Sequence, residues 1–288
     1  MSQPFSQRNL QYALVAVFVI VNIFIWSAVT RADQRGMLTV AFLDIGQGDA
    51  IYIEAPNGNQ MLIDGGPSGG ALLRALGQVM PFWDRSLDVV LATHPDQDHV
   101  GGLPAILENM NIENVVTTEN TATTGVYRAF EDDVSKEGAR RVLARAGERI
   151  ILDDGVVLEI LFPNKNAKGW DTNTGSIVAR LSYGETSFLL TGDSPQSVEQ
   201  YLVNRETDKI HADVLKLGHH GSKTSSSKLF LSAVDPEYAV ISAGKDNKYG
   251  HPNKEVLDLL EQFKIQTLST IDRGTIVFET KGERVHLK

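Results

Sequence analysis

Residues Thr93 to Gly102, THPDQDHVGG, set two imidazoles and two carboxylates (His94, Asp96, Asp98 and His99) within six consecutive positions. They follow an apolar run, Leu87 to Ala92, broken only by Asp88. A short apolar run bounded by turn residues reads as a buried strand. The cluster is therefore a loop delivered by a strand, and four such side chains cannot all face away from one point. His and Asp together suit a divalent cation, because imidazole nitrogen serves a borderline ion and carboxylate oxygen a harder one. The bland alternative is a polar strand-to-helix loop with a capping Asp. It is the weaker reading, because four such residues seldom fall together and more candidate ligands follow. Gly101 and Gly102 let the backbone turn sharply into a helix predicted from Leu103.

The chain of 288 residues, 42% apolar and 22% charged, can bury a sizeable core as one large domain or two small ones. It has no cysteine, which excludes a disulfide framework and a thiolate metal site. A net charge of −9 argues against a protein that coats nucleic acid through bulk positive potential. It leaves room for a hydrolase whose cations carry the local positive charge. Ala13 to Val29 contains no charge and a single Asn. With its flanks, residues 10–30, it is long enough to span a bilayer as a helix, and Trp26 suits an interfacial anchor. A cleaved signal peptide is the alternative, since Ser27, Ala28 and Ala32 are small. The expected organisation is a membrane segment over 1–36, favoured as an uncleaved anchor, then a domain over 37–288 lying outside the cytoplasm.

Beyond Gly36, apolar strands repeatedly end in Asp or His close to Gly. Met37 to Leu43 ends at Asp44, with Gly46, Gly48 and Asp49 in the turn that follows. Gln60 to Ile63 ends at Asp64, Ser187 to Leu190 at Asp193, and Asp213 to Leu217 at His219-His220. Helical spacing is predicted over Ala71–Met80 and Gly125–Ala146, and a helix over Ser194–Leu202 with Ser194 as its cap. Further helices are expected over Ser225–Ser232 and Glu255–Phe263. Strands fall in two blocks, each with helices, which predicts two sheets packed face to face with helices outside. All seven histidines lie at or after the central cluster. A lone His more often caps or packs than binds metal, so His211 and His286 carry little weight. His251 sits in a loop after a predicted strand.

Taken in order, six segments resemble the metallo-β-lactamase superfamily, and within it the hydrolase domain of ComEC-type competence proteins. They are Phe42–Ala50 (FLDIGQGDA), Leu62–Gly66 (LIDGG), the central motif, Leu190–Asp193 (LTGD), Leu215–Ser222 (LKLGHHGS) and Tyr249–Pro252 (YGHP). The resemblance implies a four-layer αββα sandwich, here preceded by a single transmembrane helix, with two divalent metal ions in a cleft at the strand ends. Asp98, His99 and His220 are then similar to ligands of one metal, and His94 and Asp96 to ligands of the other. Asp193 resembles the bridging carboxylate. His220 is preferred over His219 for metal, leaving His219 to face substrate. The superfamily supplies one further His between the central motif and the bridging Asp. None lies between His99 and His211, which leaves the metal of His94 and Asp96 short of a ligand: either Asp171 or Asn173 fills in, or that site is weak or filled only with substrate. Three Asp in the ligand set move the odds from zinc towards manganese or magnesium. Asp44 and Asp64 are expected to orient ligands from behind.

The chemistry expected is attack by a metal-activated hydroxide on a phosphodiester. Asp98, His219 and His251 are the candidate catalytic residues. Lys223, Ser222 and Thr224, at an expected helix start, form a candidate anion site. The first functional expectation is a membrane-anchored phosphodiesterase or DNA nuclease whose partners are nucleic acid, or another phosphodiester, and the membrane. The alternatives are a hydrolase of small esters or lactams, or a DNA-uptake scaffold with a degenerate site.

Overall fold

The computed structural model describes the backbone of residues 7–33 and 36–288, and the side chains of 8–22 and 36–288. The chain divides into two compact units, Met1–Met37 and Leu38–Lys288.

The first unit holds one helix, α1 (Gln7–Asp33). Among the described residues no helix is long and apolar enough to cross a membrane. The expected transmembrane helix is thus not found there. The later part of the apolar stretch, with Trp26 and the small residues of the signal-peptide alternative, lies outside the described side chains.

The second unit is built on two sheets. The first contains β1 (Leu38–Phe42), β2 (Ile51–Glu54), β3 (Gln60–Ile63), β4 (Ser86–Leu91), β5 (Asn111–Thr117) and β6 (Arg140–Leu143). The second contains β7 (Arg149–Asp153), β8 (Val156–Phe162), β9 (Val178–Tyr183), β10 (Thr186–Leu190), β11 (Val214–Lys216), β12 (Tyr238–Ile241) and β13 (Gln266–Ser269). The chain then returns to the first sheet with β14 (Ile276–Thr280) and β15 (Val285–Leu287), giving orders β15-β14-β1-β2-β3-β4-β5-β6 and β13-β12-β11-β10-β9-β8-β7. In each sheet one half is parallel: β3 to β6 in the first and β10 to β13 in the second.

Both faces of each sheet are covered, which explains why the central strands read as continuous apolar runs rather than alternating ones. Met61 and Ile63 of β3 and Phe188 and Leu190 of β10 point between the sheets into one core. Leu62 points outward to a second core with α2 (Gly69–Val79), α3 (Gln97–Val100), α4 (Leu103–Asn109) and α5 (Gly125–Glu137), through Leu72, Val100, Ile106 and Phe130. Leu189 points to a third core, against α6 (Gln196–Arg205), α7 (Thr207–Ile210), α8 (Lys228–Val234) and α9 (Lys254–Phe263), through Leu202, Ile210, Phe230 and Leu260. A last short helix, α10 (Thr270–Arg273), precedes β14. The result is the expected αββα sandwich.

Three local expectations fail for identifiable reasons. The helix from Gly125 does not reach Ala146: Gly138 ends it with φ 77°, and Arg140–Leu143 instead pair in parallel with β5. Ser194 does not cap α6, which starts at Gln196 after Pro195, and its hydroxyl is buried without a partner. The helix expected from Ser225 starts at Lys228, capped by the Ser227 hydroxyl accepting from Phe230 N.

Candidate metal centre

The first sheet delivers its part of the site from β3 and β4. Beyond β4, Thr93 N and Thr93 Oγ1 both donate to the Asp64 carboxylate at 2.7 Å. His94 comes next, and one turn later α3 carries Asp98 and His99. The turn after β1 holds this helix: Asp49 N donates to Asp98 O at 3.2 Å. Gly48 allows that approach, since it has φ +127° and an added Cβ would lie 2.1 Å from Asp98 O.

The second sheet delivers Asp193 just past β10, and His219 and His220 past β11. The two histidines lie in a tight turn, Gly218–Gly221, and both adopt left-handed backbone with φ 50° and 56°. Non-glycine residues adopt this conformation only where the surroundings enforce it. Here His220 Nδ1 donates to Ser242 O, just past β12, at 2.9 Å. Left-handed residues at both positions turn the two rings toward Asp193.

The side chains meet at one rim. His99 Nε2 lies 3.3 Å from Asp193 Oδ1, and Asp193 Oδ2 lies 3.9 Å from His94 Nε2, 3.6 Å from His220 Nε2 and 3.9 Å from His219 Nε2. Asp98 Oδ2 is 3.3 Å from His220 Nε2, and Asp96 Oδ2 is 3.7 Å from His94 Nε2. The outer nitrogen of each buried ring is tied back. His99 Nδ1 donates to Asp64 Oδ2 at 2.7 Å. Thr93 gives its proton to Asp64, so its oxygen accepts from His94 Nδ1 at 3.0 Å. His220 is held by Ser242 O. This network fixes all three rings with Nε2 toward the centre. The Nε2 atoms of His94, His99 and His220, with Asp193 Oδ1, are buried and have no hydrogen-bond partner. Buried polar atoms are seldom left so, and among the described residues four groups of three fit a cation: His94, His99 and Asp193; Asp98, His99 and His220; Asp49, Asp193 and His220; and Asp49, Asp64 and His99. The donor set therefore suits divalent ions.

The electrostatics agree. Burial would raise the Asp193 carboxyl, but His220 and His99 outweigh it and hold it well below the usual range. Burial would lower His220, but Asp193 and Asp49 lift it to about 9. His99 is lifted likewise by Asp193 and Asp64. His94, buried and beside His99, falls to about 3 and stays neutral. This is a carboxylate-rich pocket that demands positive charge, from protons on His99 and His220 or from cations that displace them.

The structure brings His94, Asp96, Asp98, His99, Asp193, His219 and His220 together. His251 borders the same cavity of about 160 Å3, with Gln47 and Tyr249 on its wall. Its ring centroid is 5.2 Å from that of His219. Three expectations need correction, those for Asp44, Asp171 and the anion site. Asp44 is exposed and accepts from Gly46 N in its own turn, so it orients nothing in the site. The Asp171 carboxylate is spent on Thr174 N and Oγ1. Asn173 lies against His219, with Nδ2 3.5 Å from Nδ1, and its Oδ1 is buried without a hydrogen-bond partner, as an available ligand atom would be. No helix starts at Ser222–Thr224, and the amides of Ser226 and Ser227 are already taken by the buried Glu199 carboxylate, so the expected anion site is not formed.

Sequence reasoning missed two residues. Asp49 is buried, with Oδ1 3.3 Å from His220 Nδ1 and Oδ2 2.7 Å from Lys216 Nζ. Lys216 is fully buried, and its Nζ also donates to Leu217 O at 2.9 Å. The signal was present: a lysine inside an apolar strand needs a buried partner.

Residues 43–245 match the family model described as the metallo-beta-lactamase superfamily. The chain is 32% identical over 262 residues to "ComE operon protein 3" of Bacillus subtilis (strain 168), covering 84% of this chain and 33% of that protein. It is 34% identical over 248 residues to "Competence protein ComA" of Neisseria gonorrhoeae, covering 86% of this chain and 33% of that one. The chain thus spans about a third of the length of these curated relatives. Among solved structures, it resembles CmlA, a diiron beta-hydroxylase from Streptomyces venezuelae (TM-score 0.56, 14% identity, 87% of this chain and 54% of that one). It also resembles Zn(2+)-bound PqqB from Methylobacterium extorquens (TM-score 0.52, 14% identity, 77% and 85%). At such identities these two show a common fold.

Proposed function

Because the chain belongs to the metallo-beta-lactamase superfamily, and its site is that of a metal-dependent hydrolase, we propose that it hydrolyses phosphodiesters and that its substrate is DNA. One observation carries this reading: three buried imidazole nitrogens without partners face a group of Asp carboxylates at one rim. The competence relatives direct the choice towards nucleic acid.

Asp98, His99 and His220 would hold one cation, and His94 and Asp96, with Asp193 as a carboxylate within reach of both sets, would hold the other. When bound, two such cations supply a nucleophile at neutral pH and take up charge on the scissile phosphate. With Asp96, Asp98 and Asp193 in the set, manganese suits it as well as zinc. The chain's own groups do the rest. Asp64 and Ser242 O fix His99 and His220 so that their Nε2 atoms need no reorientation. Asp96 is steadied by Thr172 Oγ1, which donates to it at 3.0 Å. His219 is partly exposed at the cavity wall, its Nδ1 3.1 Å from Thr224 Oγ1. It is placed to give a proton to the leaving oxygen, with His251 beside it to bind or assist.

Residues 10–30 anchor this domain to a membrane, and the domain lies outside the cytoplasm. In support, Leu10, Leu14, Val17, Phe18 and Val21 are all at least 46% exposed on α1. The apolar run continues to Val29 in the sequence.

The test is cleavage of single-stranded DNA by the purified chain with added manganese, beside Asp98→Ala and Asp193→Ala. Metal-dependent cleavage lost in both variants supports the reading. Turnover of a chromogenic ester or lactam but not of DNA replaces the substrate, and DNA binding without cleavage refutes the enzyme. Membrane anchoring is checked by whether alkaline carbonate leaves the full chain in the membrane fraction.

A further inference from the structure

We propose that the end of the hydrolase domain opposite the metal centre rests on the membrane, with Phe82 and Trp83 inserted into the lipid interface. The inference rests on the anchoring by residues 10–30 proposed above.

Phe82 is 81% exposed and Trp83 70%, unlike the largely buried aromatics of the three cores. Their rings meet edge to face, with centroids 4.8 Å apart. The loop that presents them is tied down. Asp84 N donates to Pro81 O at 3.0 Å, and the Asp84 carboxylate accepts from Ser86 N at 3.2 Å, Ser86 Oγ at 2.9 Å and Gln60 Nε2 at 2.8 Å. The loop is therefore pinned to the starts of β3 and β4 while its two rings stand in water. Trp and other amphipathic aromatics favour the boundary between water and lipid. Arg85, exposed beside the pair, offers a cation to a headgroup phosphate.

Strand directions decide where this loop sits. β1 is antiparallel to β2, β2 to β3, and β3 is parallel to β4. Leu38, Gln60 and Ser86 therefore begin their strands at one end of the sheet. His94, Asp98 and His99 follow β4 at the other end. The six residues of β4, at about 3.3 Å each, set roughly 20 Å between the aromatic pair and the site. Leu38 is also where the chain enters the domain after α1. The tethered end and the aromatic end are thus the same end. A domain tethered there meets the bilayer with Phe82 and Trp83 and turns its catalytic rim to the water.

The chain carries three tryptophans, Trp26, Trp83 and Trp170, which makes the proposal measurable. Trp170 lies in the loop between β8 and β9, at the catalytic end, against Phe162. Full-length variants keep one tryptophan each, the other two changed to Phe, and circular dichroism checks their folding. They are reconstituted into phosphatidylcholine–phosphatidylglycerol vesicles with or without brominated acyl chains. The Trp83-only and Trp26-only chains should each lose fluorescence to bromine, as tryptophans at the lipid interface would, and the Trp170-only chain should lose none. Quenching of Trp26 without Trp83 overturns the inference while the anchor stands. Quenching of neither defeats the anchor, and the inference with it. Quenching of Trp170 as strongly as Trp83 overturns the orientation.

Discussion

Lys216→Met tests whether the Asp49–Lys216 pair is a structural support of the metal centre. Both side chains are buried and joined at 2.7 Å, with the Lys216 Nζ also donating to Leu217 O. Methionine keeps most of the apolar stem and removes the charge. Breaking a buried ion pair from one side costs about 3–5 kcal/mol, because the other charge stays behind uncompensated. Asp49 would keep one neighbour, His220 Nδ1 at 3.3 Å, so the lower end of that range is expected. With a urea m-value of about 3 kcal/mol/M for a domain of this size, a loss of about 3 kcal/mol lowers the midpoint by about 1 M. Asp49→Asn/Lys216→Met removes both charges and should recover most of that loss. The effect also has a sign in pH. Burial would raise the Asp49 carboxyl, but Lys216 and His220 outweigh it and hold it below the usual carboxylate range. A carboxyl so depressed stabilises the fold fully above its unfolded value of about 3.9 and loses that contribution as pH falls further. The gap between wild type and Lys216→Met should therefore be full at pH 7 and shrink below about pH 4. Urea unfolding followed by tryptophan fluorescence reads all of this. A single variant within about 1 kcal/mol of wild type at pH 7, or a double variant no better than the single, would refute the reasoning.

Three further outcomes are expected. Asp64→Asn removes the carboxylate that orients His99 and Thr93, and should weaken manganese or zinc binding about 10–100-fold by calorimetry. Gly48→Ala puts a methyl group 2.1 Å from Asp98 O at a left-handed φ, so it should lower the melting temperature and reduce metal content together. His220→Ala should lose bound metal, whereas His219→Ala should keep it and lose turnover, because only His220 is buried and pinned at its outer nitrogen. Equal metal loss in both would show that His219 is a ligand as well.

The layered fold was legible because both sheets are covered on both sides, so their strands read as unbroken apolar runs ending in Asp or His. The rim residues were legible for the same reason: strand ends converge, and Asp64, His94, Asp98, Asp193 and His220 each follow one. Asp44 also follows a strand, yet its carboxylate stays in its own turn while Asp49, five residues on, faces His220. Counting from strand ends cannot separate the two, because the backbone turn at Gly46 and Gly48 decides which acid points inward. The helix predicted to Ala146 was overread because Arg140–Leu143 has no apolar pattern of its own. Only pairing with β5 makes it a strand. The pairing of Lys216 with Asp49 spans 167 residues, and no local pattern announces a partner so distant.

The proposed ligand set draws His94, Asp98 and His99 from one sheet and Asp193 and His220 from the other. A cation held by both sets is therefore a clasp across the seam of the sandwich. Any ion that binds only the closed seam adds to folding stability by mass action, about 2.7 kcal/mol at a hundred times its dissociation constant. A chelator would loosen this margin of the molecule before the rest, and the mechanical integrity of the two halves would follow the supply of metal.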